Sequence, residues 1–406
     1  MPKWKNIDGH LGTPEGFCGS ALPAGIKKKK GELDLALIYC EAAAATAAGV
    51  FTTNRAAAAP VMLSRQSLKS NRGRARAVVV NAGNANACTG SEGMEAARAV
   101  ARSAAALLGI APREVLIAST GVIGVPLRAD LITQKLPALA ASLTASNAAA
   151  AGRAILTTDT FPKSCVLETA IGRSKVTLAG IAKGAGMIHP RMATMLSFIT
   201  TDLAIAAGDL QKLLRAAVND SFNQISVDGD TSTNDTVIAL ASGLSGVTAT
   251  PGSSTATLFL RGLTGVCQTL AKMIVRDGEG AKKLVTLEVR GAGTHVDADR
   301  IARAIANSLL VKTAIAGSDP NWGRILCAAG YSGAKFDPGR AEIRVNGLVL
   351  CRRGLDAGFN EAAAKKELNR SEITIRLDLG QGSGSARMWM CDLTHDYITI
   401  NASYRT

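Results

Sequence analysis

Hydrophobic and polar positions alternate along the chain in two periods, and they divide it into strands and helices that follow one another from end to end. Short apolar, β-branched runs bounded by glycine, asparagine or proline read as buried strands. Residues 35–39, 49–52, 75–80, 115–118, 165–168 and 175–178 are of this kind, the last two joined into a hairpin near Gly172. Residues 284–289, 373–379 and 397–400 continue the series, and Asn346-Gly347 within 343–349 marks a tight hairpin turn. Helical spacing is seen in Met94, Ala97, Ala101, Ala104 and Leu108, where Gly109 suits the C-terminal end. It returns at 147–156, at Leu210, Leu213, Leu214 and Ala217, at Val266, Leu270 and Ile274 within 263–275, and at 300–310. Such alternation predicts an α/β fold. With 406 residues the chain exceeds what one core usually holds, so a second, smaller α/β domain is expected from about residue 284.

Composition narrows the classes. No apolar run is long enough to suggest a bilayer-spanning helix, and the N-terminus lacks an apolar signal core, which together predict a cytoplasmic protein with no membrane partner. The net charge of +14 invites a nucleic-acid reading. The basic residues are scattered, however, apart from 27–30 and the alternation Arg72, Arg74, Arg76, and no aromatic residues accompany them. They are expected to be solvated, with some serving carboxylate substrates. Eight cysteines without a Cys-x-x-Cys pair and four isolated histidines predict reduced thiols and no metal site.

Candidate chemistry concentrates in residues 183–202, Lys-Gly-Ala-Gly-Met-Ile-His-Pro-Arg-Met-Ala-Thr-Met-Leu-Ser-Phe-Ile-Thr-Thr-Asp. Gly184 and Gly186 permit a contorted backbone, Pro190 holds His189 extended, and a β-branched run follows. A loop of this kind delivers Thr194 to the start of a strand. A threonine hydroxyl needs a base, and an α-amine on the same residue, with a reference pKa of roughly 7.7–8.0, can serve as one once the preceding peptide bond is cut. Other polar segments stand at the ends of predicted elements: Asn81-Ala82-Gly83-Asn84-Ala85-Asn86, Ser119-Thr120-Gly121, Thr157-Thr158-Asp159-Thr160, residues 226–236 and Arg276-Asp277-Gly278-Glu279-Gly280. The acidic spacing of 226–236 lacks the downstream glutamate of a calcium loop and reads as a polar turn near the site.

The central segment, together with Arg-Asp-Gly-Glu-Gly and the terminal Asn-Ala-Ser-Tyr-Arg-Thr, resembles the ornithine acetyltransferase family, the glutamate N-acetyltransferases of arginine biosynthesis. Arg191 departs from the small polar residue expected there. The resemblance implies a layered α/β/β/α sandwich with a smaller C-terminal α/β domain. It implies self-cleavage between Ala193 and Thr194, giving chains 1–193 and 194–406 that assemble as two copies of each. Thr194 becomes the nucleophile, and Thr120 and Gly121 the oxyanion hole. Thr157 (with Thr158 as the alternative), Lys183, Thr194, Glu279, Asn401 and Thr406 are the implied substrate-binding residues. N-acetylornithine and glutamate are the implied substrates, without a resident cofactor, and acetyl-CoA is a further donor in part of the family. Two other readings stay open on residues alone: a self-cleaving amidase or aminopeptidase using water as acceptor, and a basic binding protein without enzymatic activity.

Overall fold

The structure, a computed structural model, describes residues 3–189 and 195–403. Two sheets lie face to face. One has six strands in the order Lys5–Asn6, Lys163–Ile171, Ser174–Lys183, Leu196–Thr201, Thr236–Ala241, Thr46–Phe51. The other has four, Phe17–Leu22, Leu35–Cys40, Ala77–Asn84 and Val115–Val122.

Side-chain alternation along these strands builds three cores at once. Ile38, Val78, Val80, Leu116 and Ala118 face Ala179, Ile181, Phe198, Ile238 and Leu240 between the sheets. The residues one position away point outward. Leu37, Val79 and Ile117 pack under Val100, Ala104, Leu136 and Leu139 of helices Gly90–Leu108 and Ala129–Ala141. Leu178, Ile199 and Val237 pack under Leu210 and Leu214 of Ala207–Asn219, and under Leu263, Val266 and Leu270 of Ser254–Arg276. The result is the α/β/β/α sandwich expected from the resemblance. Helix Ser254–Arg276 is long and apolar enough, by length and composition, to cross a bilayer. Its apolar stripe nevertheless covers the sheet, as that of a core helix does, and Gly180 lets it approach closely because a Cβ there would lie 2.6 Å from Val266.

A further core gathers Val285, Leu287, Ile301, Ile343, Ile375 and Met390 around a seven-stranded sheet, whose central strands are Leu284–Ala292, Glu372–Asp378 and Glu342–Val345, with Gly384–Cys391 beside the first. The short strand Ile225–Ser226 joins its edge from the sandwich side.

Five expectations need correction. Residues 397–400 are not a strand but lie in helix His395–Ser403, because no neighbouring strand offers a ladder and the helix has no buried face to demand alternation. Thr120 and Gly121 do not follow a strand but lie within Val115–Val122. Asn84 likewise belongs to Ala77–Asn84 rather than to a loop, and the two strands meet in a bulge where Asn84 opposes both Thr120 and Val122. The predicted helix at 300–310 is two helices, His295–Asn307 and Leu309–Ala316, because the Ser308 side chain accepts from the Val311 N–H and restarts the chain. Residues 147–156 form only a short 3₁₀ turn, Ser146–Ala150, and one helical turn, Ala151–Ala154.

Candidate active site

Strand register brings the ends of the central strands to one place. Leu196 lies opposite Lys183 on one side and Thr236 on the other. The cavity at this end, about 100 Å³, is lined by Thr120, Gly121, Thr157, Lys183, Glu279 and Asn401 among others. These six residues come from five separated segments, and every predicted site residue that the structure describes is in this set. Thr158 lines the same cavity. Ala193, Thr194 and Thr406 lie outside the described residues.

Each wall has a local cause. Gly121 has φ +132° and a Cβ on it would lie 2.3 Å from the Gly83 backbone, so the bulge between the two strands closes only around glycine. On the opposite wall a Cβ on Gly186 would meet Glu279 Oε2 at 2.4 Å. That glycine lets the Glu279 carboxylate approach the loop, where it accepts from Asn401 Nδ2 at 2.8 Å. Helix His395–Ser403 thus returns to the site, tied down further by Thr394 Oγ1 donating to the Gly280 carbonyl at 2.7 Å.

Lys183 is buried and donates to Thr157 Oγ1 at 2.7 Å, with Asp159 Oδ2 at 3.6 Å. Asp159 also accepts from Lys163 Nζ at 2.7 Å and from the Gly184 N–H at 2.6 Å. Lys163 in turn bonds Asp277 Oδ2 at 2.6 Å, and Asp277 accepts from the N–H of Thr160 at 3.0 Å. Burial alone would raise the Asp159 carboxyl, but the charges of Lys183 and Lys163 and the bonds from Lys163 and Gly184 hold it well below the usual carboxylate range. A buried chain of alternating charge, Lys183, Asp159, Lys163, Asp277, therefore stands behind the pocket.

Two further acids, Asp228 at the cavity lining and Asp235 buried beside it, have no ion pair among the described residues. Asp228 accepts from the N–H groups of Met187 at 2.5 Å and Ile188 at 2.8 Å, and so holds the glycine-rich loop, in which Met187 takes φ +58°. Burial raises Asp228 despite these bonds. Asp235 accepts the Met195 N–H at 2.9 Å, immediately after Thr194 in sequence, while its Oδ2 has no partner. Burial pushes Asp235 well above the ordinary range. Residues 226–236 thus form the polar turn beside the site that their composition suggested. Asp159, Lys163, Asp277 and Asp235 received no separate role from the sequence. The three acids stood inside polar segments already singled out, whereas nothing distinguishes Lys163 from a solvated lysine until the fold buries it.

The sequence profile of the ArgJ family matches residues 19–406. The chain is 50% identical over 402 residues to the arginine biosynthesis bifunctional protein ArgJ of Symbiobacterium thermophilum, covering 98% of this chain and 99% of that protein. It is 44% identical over 414 residues to the chloroplastic protein of that name from Citrullus lanatus, covering 99% and 90%. A crystal structure of the arginine biosynthesis bifunctional protein argJ of Bacillus halodurans is similar with a TM-score of 0.51 at 46% identity, covering 52% of this chain and 100% of that one. The resemblance first read from a glycine-rich loop and two short motifs therefore extends over nearly the whole length, and the chain belongs to the ArgJ family.

Proposed function

We propose that this protein is a glutamate N-acetyltransferase of arginine biosynthesis, moving an acetyl group from N-acetylornithine to glutamate through an acetyl ester on Thr194. The observation that carries this reading is the convergence of Thr120, Gly121, Thr157, Lys183, Glu279 and Asn401 on one cavity at the end of the strand that follows Thr194.

Cleavage between Ala193 and Thr194 frees the α-amine of Thr194, which takes the proton from Oγ. Oγ attacks the acetyl carbon of N-acetylornithine, and Thr120 and Gly121 receive the developing oxyanion. Removing one such donor typically costs roughly 10²–10³ in rate. The C–N bond then breaks and ornithine leaves with the proton. The amine of glutamate attacks the ester, and Thr194 Oγ is restored. Lys183 supplies a fixed positive charge for a substrate carboxylate, and the Glu279 carboxylate, oriented by Asn401, supplies a negative charge for an ammonium group. No resident cofactor is required. Acetyl-CoA is a second acetyl donor on this reading, and the cleaved chains assemble as two copies of each.

Labelled N-acetylornithine should mark the fragment that begins at Thr194. Thr194→Ala should give one uncut, inactive chain by intact mass, because both cleavage and transfer need the hydroxyl. Cleaved and active Thr194→Ala protein would overturn the assignment. Ornithine release that depends on glutamate separates the transferase from a hydrolase.

A further inference from the structure

The catalytic cavity carries more negative than positive charge. Asp228, Asp230 and Glu279 line it, against Lys183 as the one cation at the lining among the described residues. The three acids gather around Tyr397, whose hydroxyl donates to Asp228 Oδ2 at 3.4 Å. Burial raises that hydroxyl first, and the charges of Asp228, Glu279 and Asp230 raise it further.

Two of the acids are already engaged. Glu279 accepts from Asn401 Nδ2. Asp228 accepts from the N–H groups of Met187 and Ile188 as well as from Tyr397. Gly229, at φ +87°, turns the chain after it, and the Asp230 N–H donates back to Asp228 Oδ1 at 3.2 Å. The Asp230 carboxylate itself is exposed and makes no hydrogen bond or ion pair among the described residues. It is therefore the acid at this lining that no structural task occupies.

The two amino acids of the proposed reaction differ in the charge they bring to these acids. The acetyl group sits on the α-nitrogen of both. Transfer at one nucleophile accordingly places both α-carboxylates alike, toward Lys183, and directs both side chains to the same wall. N-acetylornithine presents an ammonium there, and glutamate presents a second carboxylate.

We propose that Asp230 sets the charge preference of this wall, favouring the side-chain ammonium of N-acetylornithine and disfavouring the side-chain carboxylate of glutamate. Asp230 determines specificity and takes no part in making or breaking bonds. The inference rests on the acetyl-Thr194 reading, under which one cavity serves both amino acids in turn. Because Asp230 is exposed, its effect should be that of a solvated charge pair, about two- to fivefold in each half-reaction.

In a ping-pong reaction kcat/KM for each substrate reports its own half-reaction, so two constants measured on Asp230→Asn make the test. For N-acetylornithine kcat/KM should fall, and for glutamate it should rise, changing their ratio at least about threefold. Asp230→Lys should move both constants further in the same directions, and higher ionic strength should shrink the differences. Titration calorimetry with ornithine, which needs no turnover, should show the same weakening, with thermal melting as the control for folding. Damage to the fold would lower both constants together. That outcome, or a smaller change in the ratio, overturns the role of Asp230 and leaves the transferase standing. An active wild type that carries no acetyl label on Thr194 would break the acetyl-Thr194 reading instead.

Discussion

Four lysines are buried in this protein, two in each region, and their partners differ. In the sandwich, Lys163 and Lys183 are 0% and 3% exposed and meet the carboxylates of Asp159 and Asp277. In the C-terminal region, Lys312 donates to the Cys391 carbonyl, and Lys283 donates to the Ile315 carbonyl at 2.6 Å and Ser318 Oγ at 2.7 Å. Burying an ammonium costs several kcal/mol, and a carboxylate partner returns far more of it than a carbonyl dipole does. Burial accordingly pushes Lys283 below the ordinary lysine range, with Asp392 offsetting only part of the shift. The first pair holds a fixed charge at a reacting centre. The second ties helix Leu309–Ala316 and the turn after it to the start and end of neighbouring strands. Burial of a lysine is thus no guide to its role; its partner is.

The largest effect should come from Lys163→Met, which leaves Asp159 and Asp277 facing each other across an apolar side chain. Removing one partner of a buried ion pair costs about 3–5 kcal/mol. Chemical denaturation should read that loss, and an unchanged midpoint would mean that the four groups do not share charge as the geometry requires.

Lys183→Met should spare the fold and strike the chemistry, because Asp159 keeps Lys163 and the Gly184 N–H. We expect kcat/KM for N-acetylornithine to fall on the order of a hundredfold, the cost of about two charge-assisted hydrogen bonds. If KM and kcat both hold while the melting temperature drops, Lys183 belongs with the structural pair.

Asp235 sharpens the contrast from the acid side, since its burial outweighs the charge of Lys183 and the bonds it accepts. Its folded pKa lies above the unfolded value of about 3.9, so its contribution is complete at lower pH and is lost as pH rises toward the folded pKa. Asp235→Asn keeps the acceptor for Met195 and does not titrate. It should therefore gain on the wild type, by at most about 1.4 kcal/mol per pH unit, between those two pKa values. Melting curves at several pH values that run parallel would refute this. The smallest effect is expected of Lys283→Met, a loss of about 1–3 kcal/mol from unsatisfied acceptors, with steady-state constants unchanged.

What was legible in the sequence was local or carried by contiguous motifs. Alternating apolar runs such as 75–80 and 115–118 announced strands buried on both faces, and helical stripes such as that at 263–275 announced their covers. Thr120, Gly121, Thr157, Lys183, Glu279 and Asn401 could be picked out because each sits in a short, recognisable segment, although only the family resemblance supplied their roles. Residues 397–400 show where this fails: β-branched residues fit a strand, but without a neighbouring strand to pair with, the chain forms the helix that carries Asn401 to Glu279. By itself the sequence determined most of the strands and helices, which faces are apolar, and where the reactive loop lies, since period and turn chemistry act between near neighbours. Only the tertiary structure decided that Lys163 is a buried counter-charge and not a solvated one, that Asp235 is buried where it accepts the Met195 N–H, and that the basic loop at 27–29 lines a second cavity sharing Thr157 with the catalytic one. Burial and charge pairing depend on groups that are distant in the chain, such as the 114 positions between Lys163 and Asp277, and they exist only once the fold brings those groups together.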